Sequence, residues 1–173
     1  MNDKDMMHAR QYFDRIANIC DVIDDKGWWN KPDNITLTLR DILQNDIEDF
    51  IIYLSASDGT VSEEEIDAYR AITGSTENFG NTPKRNAAAP DFRYEPPFIF
   101  KVLSRAEINA MARGARFESS VLGNVMALYR VIGHTIMSAD GNVSAKEKDD
   151  FDIIMQTIAD YIEKHDTIAK TYS

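Results

Sequence analysis

This 173-residue sequence has a single cysteine, fewer basic than acidic residues and only short apolar runs. The single cysteine, Cys20, excludes an intramolecular disulfide, and so little cysteine favours a reducing, cytoplasmic setting. The longest apolar runs, such as residues 50–54, are far shorter than the ~18 residues that a membrane span requires. The N-terminal Met-Asn-Asp-Lys-Asp is too polar for a signal peptide. We therefore expect a cytoplasmic protein with no membrane span.

Charge narrows the choice of partner. The net charge is −10, which would repel a polyanion and so argues against nucleic acid. Residues 84–116 differ from the rest, because they hold seven basic and three acidic residues and leave −14 on the remainder. This basic, aromatic region is a candidate contact for an acidic protein surface, although ordinary solvated helix faces explain it equally well. The candidate partner-binding residues are Lys84, Arg85, Arg93 and Tyr94.

Apolar spacing predicts an all-α fold. Side chains recur at three- and four-residue steps, and no segment alternates with period two for long enough to form a strand. The predicted helices are 3–25, 34–57, 62–73, two short pieces within 98–111, 115–139 and 144–167. Cys20 lies on the apolar face of the first, Asp33 or Asn34 caps the second, and Ser104 and Glu107 fit a capping box within 98–111. Gly123 and Gly133 are expected at close helix crossings. Residues 74–97 have no period and form an irregular insertion in a single domain, 1–173. Trp28 and Trp29 either close the end of the core or present an exposed aromatic partner site.

One motif occurs twice in the chain. Residues 58–65 and 140–147 share the frame Asp-Gly-x-Val-Ser-x-x-Glu, and apolar positions correspond on both sides of it. The unit is therefore an apolar helix, an Asp-Gly turn and a Ser-started helix, used twice. The fold predicted is a compact helical bundle of two pseudo-repeated helix-turn-helix units. Gly allows positive φ in each turn, and the Ser and Glu three residues apart fit a capping box.

The acidic residues of the two turns are also candidate metal ligands. A standard calcium loop is not expected, because its first ligand positions would be Leu54 and Ile136. A site shared between the halves would require the two turns to meet in space. Its hard oxygen ligands, suited to a divalent cation, would be Asp58, Glu65, Asp140 and Glu147. The local capping interpretation accounts for the same residues without any cofactor.

The paired segments Ala-Ser-Asp-Gly-Thr-Val-Ser-Glu-Glu-Glu and Ser-Ala-Asp-Gly-Asn-Val-Ser-Ala-Lys-Glu resemble those of the tellurite-resistance TerB-like family. The resemblance covers residues 47–73 and 128–163. It implies a bacterial, cytoplasmic, all-helical protein that works through partners, and segments of this kind also precede AAA-type ATPase modules. It further implies that acidic turn residues bind divalent metal in some members. Ala145 and Lys146 depart from the acidic pair Glu63 and Glu64 of the first copy.

The sequence contains no recognisable catalytic motif. Its three histidines, His8, His134 and His165, are far apart, and there is no nucleophile turn or Gly-rich phosphate loop. We therefore expect a non-enzymatic TerB-like interaction module in a bacterial stress-response or assembly pathway, with a protein partner such as an AAA-type ATPase. The alternative is a divalent-metal-binding stress protein of the tellurite-resistance type, which uses both acidic turns. Oligomeric state is not predicted.

Overall fold

The computed structural model describes residues 3–55, 61–75, 91–139, 141 and 143–172. Within these residues the chain forms six α-helices and a closing 3-10 helix, with no β-strand. The elements are α1 (Asp3–Lys26), α2 (Leu39–Ser55), α3 (Glu63–Thr73), α4 (Phe98–Ala112), α5 (Val121–Met137), α6 (Ala145–Ala169) and the 3-10 helix Lys170–Tyr172. The all-α prediction is confirmed, and the helices pack into a compact bundle around a shared apolar core.

The helices α2 and α5 occupy the centre, and each packs against all five others. They are the helices that precede the two Asp-Gly turns, and corresponding positions of the repeat, Phe50 and Ile132, are both fully buried. The helices that follow the turns correspond as well, with Tyr69 of α3 and Phe151 of α6 in the core. Because α3 packs on α5 and α6 packs on α2, each half of the repeat completes the core of the other.

The start of α2 lies later than the sequence predicted. The expected cap was at residues 33–34, but the helix begins at Leu39. Thr38 and Asp41 form a reciprocal cap there, with backbone N–H to side-chain oxygen distances of 3.1 Å and 3.0 Å. Asp24 of α1 also accepts the Leu39 N–H at 2.7 Å. This tertiary contact and the β-branched residues of 35–38 move the start of the helix.

Two further boundaries differ from the predictions. The helix α4 is continuous where two short helices were expected, and α5 begins at Val121 rather than near Ala115. Gly114 has φ +91° and turns the chain after α4. Ser120 then caps α5 by accepting the Gly123 N–H at 3.0 Å. Residues 113–120 are thus a connector, and a local cap decides where α5 starts.

The N-terminus of α4 is capped by a residue distant in sequence. Pro97 precedes the helix and offers no side-chain cap. The carboxylate of Asp46, from α2, accepts the backbone N–H of Ile99 instead. Desolvation raises the pKa of Asp46 from 3.8 to about 7, against the lowering effect of the Ile99 hydrogen bond, and nearby Asp49 raises it further. The cap is therefore a polar contact between the two halves.

Substitution Asp46→Asn tests this contact through pH. Because the folded pKa of Asp46 lies above its unfolded value, the folded state binds more protons, and the stability associated with this group is lost as pH rises from about 4 to about 7. The amide keeps an acceptor for Ile99 without a charge. We expect urea unfolding to show a shallower loss of stability across this pH range in Asp46→Asn than in the wild type. Equal pH profiles for the two proteins would contradict the assignment.

Gly133 allows α5 and α6 to approach closely. A Cβ at Gly133 would overlap the Phe151 ring atoms Cε2 and Cδ2. Gly123 lies in the same helix, but its nearest neighbour is its own cap, with Ser120 Cβ and Oγ at 3.2 Å. Only Gly133 marks a helix crossing, so the sequence-based expectation that both glycines do so is correct for one of them.

Gly133→Ala should destabilise the protein. Overpacking typically costs about 1–3 kcal/mol, and direct overlap with the Phe151 ring favours the upper part of that range, above the ~1 kcal/mol that alanine contributes through helix propensity. Gly123→Ala is the matched control, since it makes the same change in the same helix without meeting another helix. Urea unfolding midpoints of the two variants measure the difference. A midpoint for Gly133→Ala equal to or above that of Gly123→Ala would show that the space between Gly133 and Phe151 admits a methyl group.

Candidate functional site

The two Ser-started helices begin with the same capping box. In α3, Ser62 Oγ accepts the Glu65 N–H at 3.2 Å, and the Glu65 carboxylate accepts the Ser62 N–H at 2.7 Å. In α6, Ser144 and Glu147 repeat both bonds at 3.1 Å and 2.9 Å. Gly141 has φ +75°, which suits glycine. The folding role predicted for Ser and Glu is confirmed in both copies, and that of Gly in the second.

Two of the four predicted metal ligands, Asp58 and Asp140, lie outside the described residues. The other two, Glu65 and Glu147, are 2% and 3% exposed, and each has a carboxylate oxygen bound to its helix cap. Their helices share no main interface, because α3 packs on α1, α2 and α5 while α6 packs on α2, α4 and α5. Among the residues that the structure describes, no three His, Cys, Asp or Glu side chains form a metal-binding group. A shared metal site stays a prediction.

The predicted partner-binding residues fall into two groups. Lys84 and Arg85 lie outside the described part of the chain, whereas Arg93 and Tyr94 lie on the turn that leads into α4. Tyr94 is 77% exposed, and the Arg93 guanidinium lies 5.6 Å from the centre of its ring. Phe92 on the same turn is buried and packs its ring edge-on against Tyr53 at 5.5 Å. Phe92 thus anchors the turn in the core, and the turn presents Tyr94 to solvent.

Asp91 organises this turn. Its carboxylate accepts two bonds from the Arg93 guanidinium, at 3.1 Å and 3.0 Å, and one from the Tyr53 hydroxyl of α2 at 3.0 Å. The Arg93 bonds hold the pKa of Asp91 at about 2, and burial together with Asp91 raises the pKa of Tyr53 to about 12. Thr157 of α6 donates to the Arg93 carbonyl at 2.7 Å. Arg93 is thus paired with Asp91 although its side chain is 43% exposed, and the Tyr94 ring is the large apolar group that the turn exposes.

The two tryptophans have different surroundings. Trp29 is buried in the core, as the core-closing interpretation predicted for at least one tryptophan. Trp28 is half-buried and meets Phe117 edge-on, with ring centres 5.9 Å apart and planes at 78°. Asn109 of α4 fixes the Trp28 backbone by donating to its carbonyl at 3.1 Å. Trp28 therefore remains available for contact, while Trp29 does not.

Trp28 and Phe117 line an open groove of about 540 Å³ between α1 and the 113–120 connector, which we call the Trp28 groove. From α1 it takes Ile19 and Val22, and Val22 is 50% exposed. Its charged lining residues are Arg15, Arg116 and Glu118. The sequence pointed to Trp28, but it did not identify the other residues, because the groove joins segments about a hundred residues apart.

A buried polar cluster was also missed. The sequence predicted Ser104 and Glu107 to be a capping box, but both lie inside α4. Ser104 Oγ is 2.7 Å from His165 Nδ1, and His165 Nε2 is 3.5 Å from Glu107 Oε1. These residue types also occur in hydrolase triads, yet all three are more than nine-tenths buried and none of them lines the Trp28 groove. The arrangement fixes the end of α6 to α4.

Comparisons of the chain with protein-family models, with curated proteins and with solved structures give no match. The coordinates define the class, an all-α helical bundle, and the TerB-like resemblance continues to depend on the repeated turn alone. None of the helices in the described ranges has the length and apolar composition to cross a membrane.

One unfolding experiment distinguishes the capping interpretation of the turns from the metal-binding interpretation. Ser62→Ala and Ser144→Ala should each reduce the free energy of unfolding by about 1 kcal/mol, since each removes an N-cap acceptor. Glu65→Gln keeps the cap geometry and removes the charge. If the turns only cap helices, excess calcium or EDTA leaves the wild-type unfolding midpoint unchanged. A calcium-dependent rise in the midpoint that Glu65→Gln or Glu147→Gln abolishes would establish the metal site.

Proposed function

We propose that this chain is a non-enzymatic, TerB-like interaction module that acts in the bacterial cytoplasm, in a stress-response or assembly pathway, by binding a protein partner such as an AAA-type ATPase. The observation that carries the proposal is the Tyr94 turn, in which a tyrosine that is 77% exposed sits on a segment tied to both α2 and α6. The repeated Asp-Gly turn supports the family assignment.

An anchored tyrosine is well suited to binding. Tyrosine offers a large apolar ring and a hydroxyl, and it is enriched among the residues that dominate interface energies. Because Asp91 bonds Arg93 and Tyr53, the turn is already ordered before a partner arrives. Pre-ordering of this kind reduces the entropy lost on association. Lys84 and Arg85, which precede the turn in the sequence, would add attraction for an acidic partner.

The test is affinity purification of partners from a bacterial lysate with the tagged protein, followed by mass spectrometry. We expect Tyr94→Ala to lose the partner, because the exposed ring forms the contact. Reversal of Lys84 and Arg85 to Glu should weaken binding as well, and Arg93 is kept because it pairs with Asp91 and orders the turn. Tyr172→Ala is the matched control, since Tyr172 is another exposed tyrosine, at 41%, and lies in the closing 3-10 helix. Partners retained equally by Tyr94→Ala and by the wild type would refute the proposal, provided that both variants unfold at the wild-type temperature.

A further inference from the structure

The helix α1 carries two apolar stripes, and the core fully buries only one of them. Phe13, Ile16, Cys20 and Ile23 are buried against the other helices. Ile19 and Val22 are displaced from that stripe and face the Trp28 groove, where Ile19 is half-buried and Val22 is 50% exposed. A helix that serves one core needs a single apolar stripe. The second stripe is only partly covered, because Ile19, Trp28 and Phe117 pack against the edge of the core while Val22 stays 50% exposed to the groove.

Two arginines border this surface, and neither forms a salt bridge with a residue that the structure describes. Elsewhere in the described residues, arginines near α1 are paired, with Arg10 bound to Asp14 and Arg40 to Asp21. Arg15 instead lies over the Tyr12 ring at 5.6 Å, and it forms no salt bridge within the described ranges.

Arg116 likewise forms no salt bridge in that part of the chain. Its Nη1 donates to the carbonyls of Met111 and Ala115, and its other N–H donors have no acceptor among the described residues. With Glu118 as the only acid in the lining, the groove is locally positive in a chain of net charge −10.

From this combination we propose that the Trp28 groove binds an acidic segment of a partner protein. A bulky apolar side chain of that segment packs between Val22, Trp28 and Phe117, and flanking carboxylates contact Arg15 and Arg116. The volume of about 540 Å³ lies within the roughly 300–1,000 Å³ typical of ligand sites. Guanidinium groups bind carboxylates through paired hydrogen bonds, which suits them to this contact.

The charge distribution disfavours the most obvious other occupants. A nucleic acid or an anionic membrane would meet only two arginines at the groove and strong repulsion from the rest of a chain of net charge −10. A second copy of this chain would bring together two bodies of the same negative sign. A short peptide segment has few acidic residues, and these contact the groove rather than the negatively charged remainder of the chain. The surface shares no residue with the Tyr94 turn, so the inference goes beyond the function proposed above.

The experiment selects ligands without assuming their sequence. A phage library of random peptides about twelve residues long is selected against the full chain, since a groove of this volume holds only a short segment. The binders are then synthesised with a fluorescent label. We expect Asp and Glu to be enriched on either side of a Leu, Phe or Trp. Enrichment of Lys and Arg, or failure to recover any binder, would overturn the proposal.

Matched variants locate the binding site. Arg15→Glu with Arg116→Glu should raise the Kd of the selected peptide on the order of tenfold or more, because two favourable charge contacts become repulsive. Val22→Gln should raise it several-fold by removing apolar contact.

The controls make the same changes elsewhere. Arg105→Glu with Arg130→Glu alters the net charge equally at two exposed positions, and Ile153→Gln replaces an apolar residue that is 45% exposed on α6. We expect both controls to leave the Kd unchanged, and a Kd equally sensitive to groove and control variants would place the binding site elsewhere.

Two more measurements distinguish the remaining outcomes. Sedimentation of the wild type should show a monomer, and a dimer that Val22→Gln dissociates would identify a second copy as the occupant and refute the acidic-segment assignment. Tyr94→Ala should bind the selected peptide with the wild-type Kd. Loss of lysate partners in Tyr94→Ala together with intact peptide binding would separate the two surfaces. A peptide that requires Tyr94 would overturn the assignment to the groove.

Discussion

The structure depends on the burial of the Tyr129 ring where α2, α4 and α5 meet. Phe50 of α2 lies 4.9 Å from it and Phe100 of α4 lies 5.4 Å from it, measured between ring centres. All three rings are fully buried, and burial raises the pKa of Tyr129 well above its usual range, with further contributions from Asp46 and Asp49. Aromatic side chains of this size contribute much of the apolar area that a core removes from water. Because α2 and α5 are the repeat-equivalent helices, this cluster also joins the two halves.

The starts of four helices are set by polar side chains that cap them, an acidic residue among them in each case. The Thr38–Asp41, Ser62–Glu65 and Ser144–Glu147 pairs are reciprocal local caps, and Asp46 supplies a cap across the core for α4. An acidic residue suits these positions, since its charge complements the positive end of the helix dipole. Part of the strongly acidic composition therefore has a folding explanation that involves no ligand.

The exposed surface shows a different use of charge. Arg93 is neutralised by Asp91 and orders the turn that presents Tyr94, whereas Arg15 and Arg116 border an apolar groove without an acidic partner in the described ranges. The two sets of arginines have the same chemistry but different surroundings. An arginine paired within the protein rigidifies a surface, and an unpaired arginine beside apolar area attracts a partner's carboxylates. The Tyr94 turn and the Trp28 groove are thus separate candidates for binding.

The sequence by itself determined the all-α class, the repeat, the two Ser–Glu capping boxes and the position of Cys20 in the core. Each of these follows from spacing along a single helix or turn, which a chain carries locally. The pKa of Cys20, raised to about 12 chiefly by burial, agrees with a packing role. Only the tertiary structure decided that Ser104 and Glu107 lie inside α4, where Ser104 hydrogen-bonds His165 of α6 and Glu107 lies 3.5 Å from the same ring. It also decided that Trp28 faces a groove while Trp29 is buried. The serine of a capping box must stand just before the first turn of its helix. Because the apolar packing of residues 98–103 makes that stretch helical, Ser104 lies inside α4 and cannot be a cap. The Trp28 groove arises from the same kind of long-range contact, because its walls come from α1 and from a connector about a hundred residues later, and local periodicity contains no information about such a pairing.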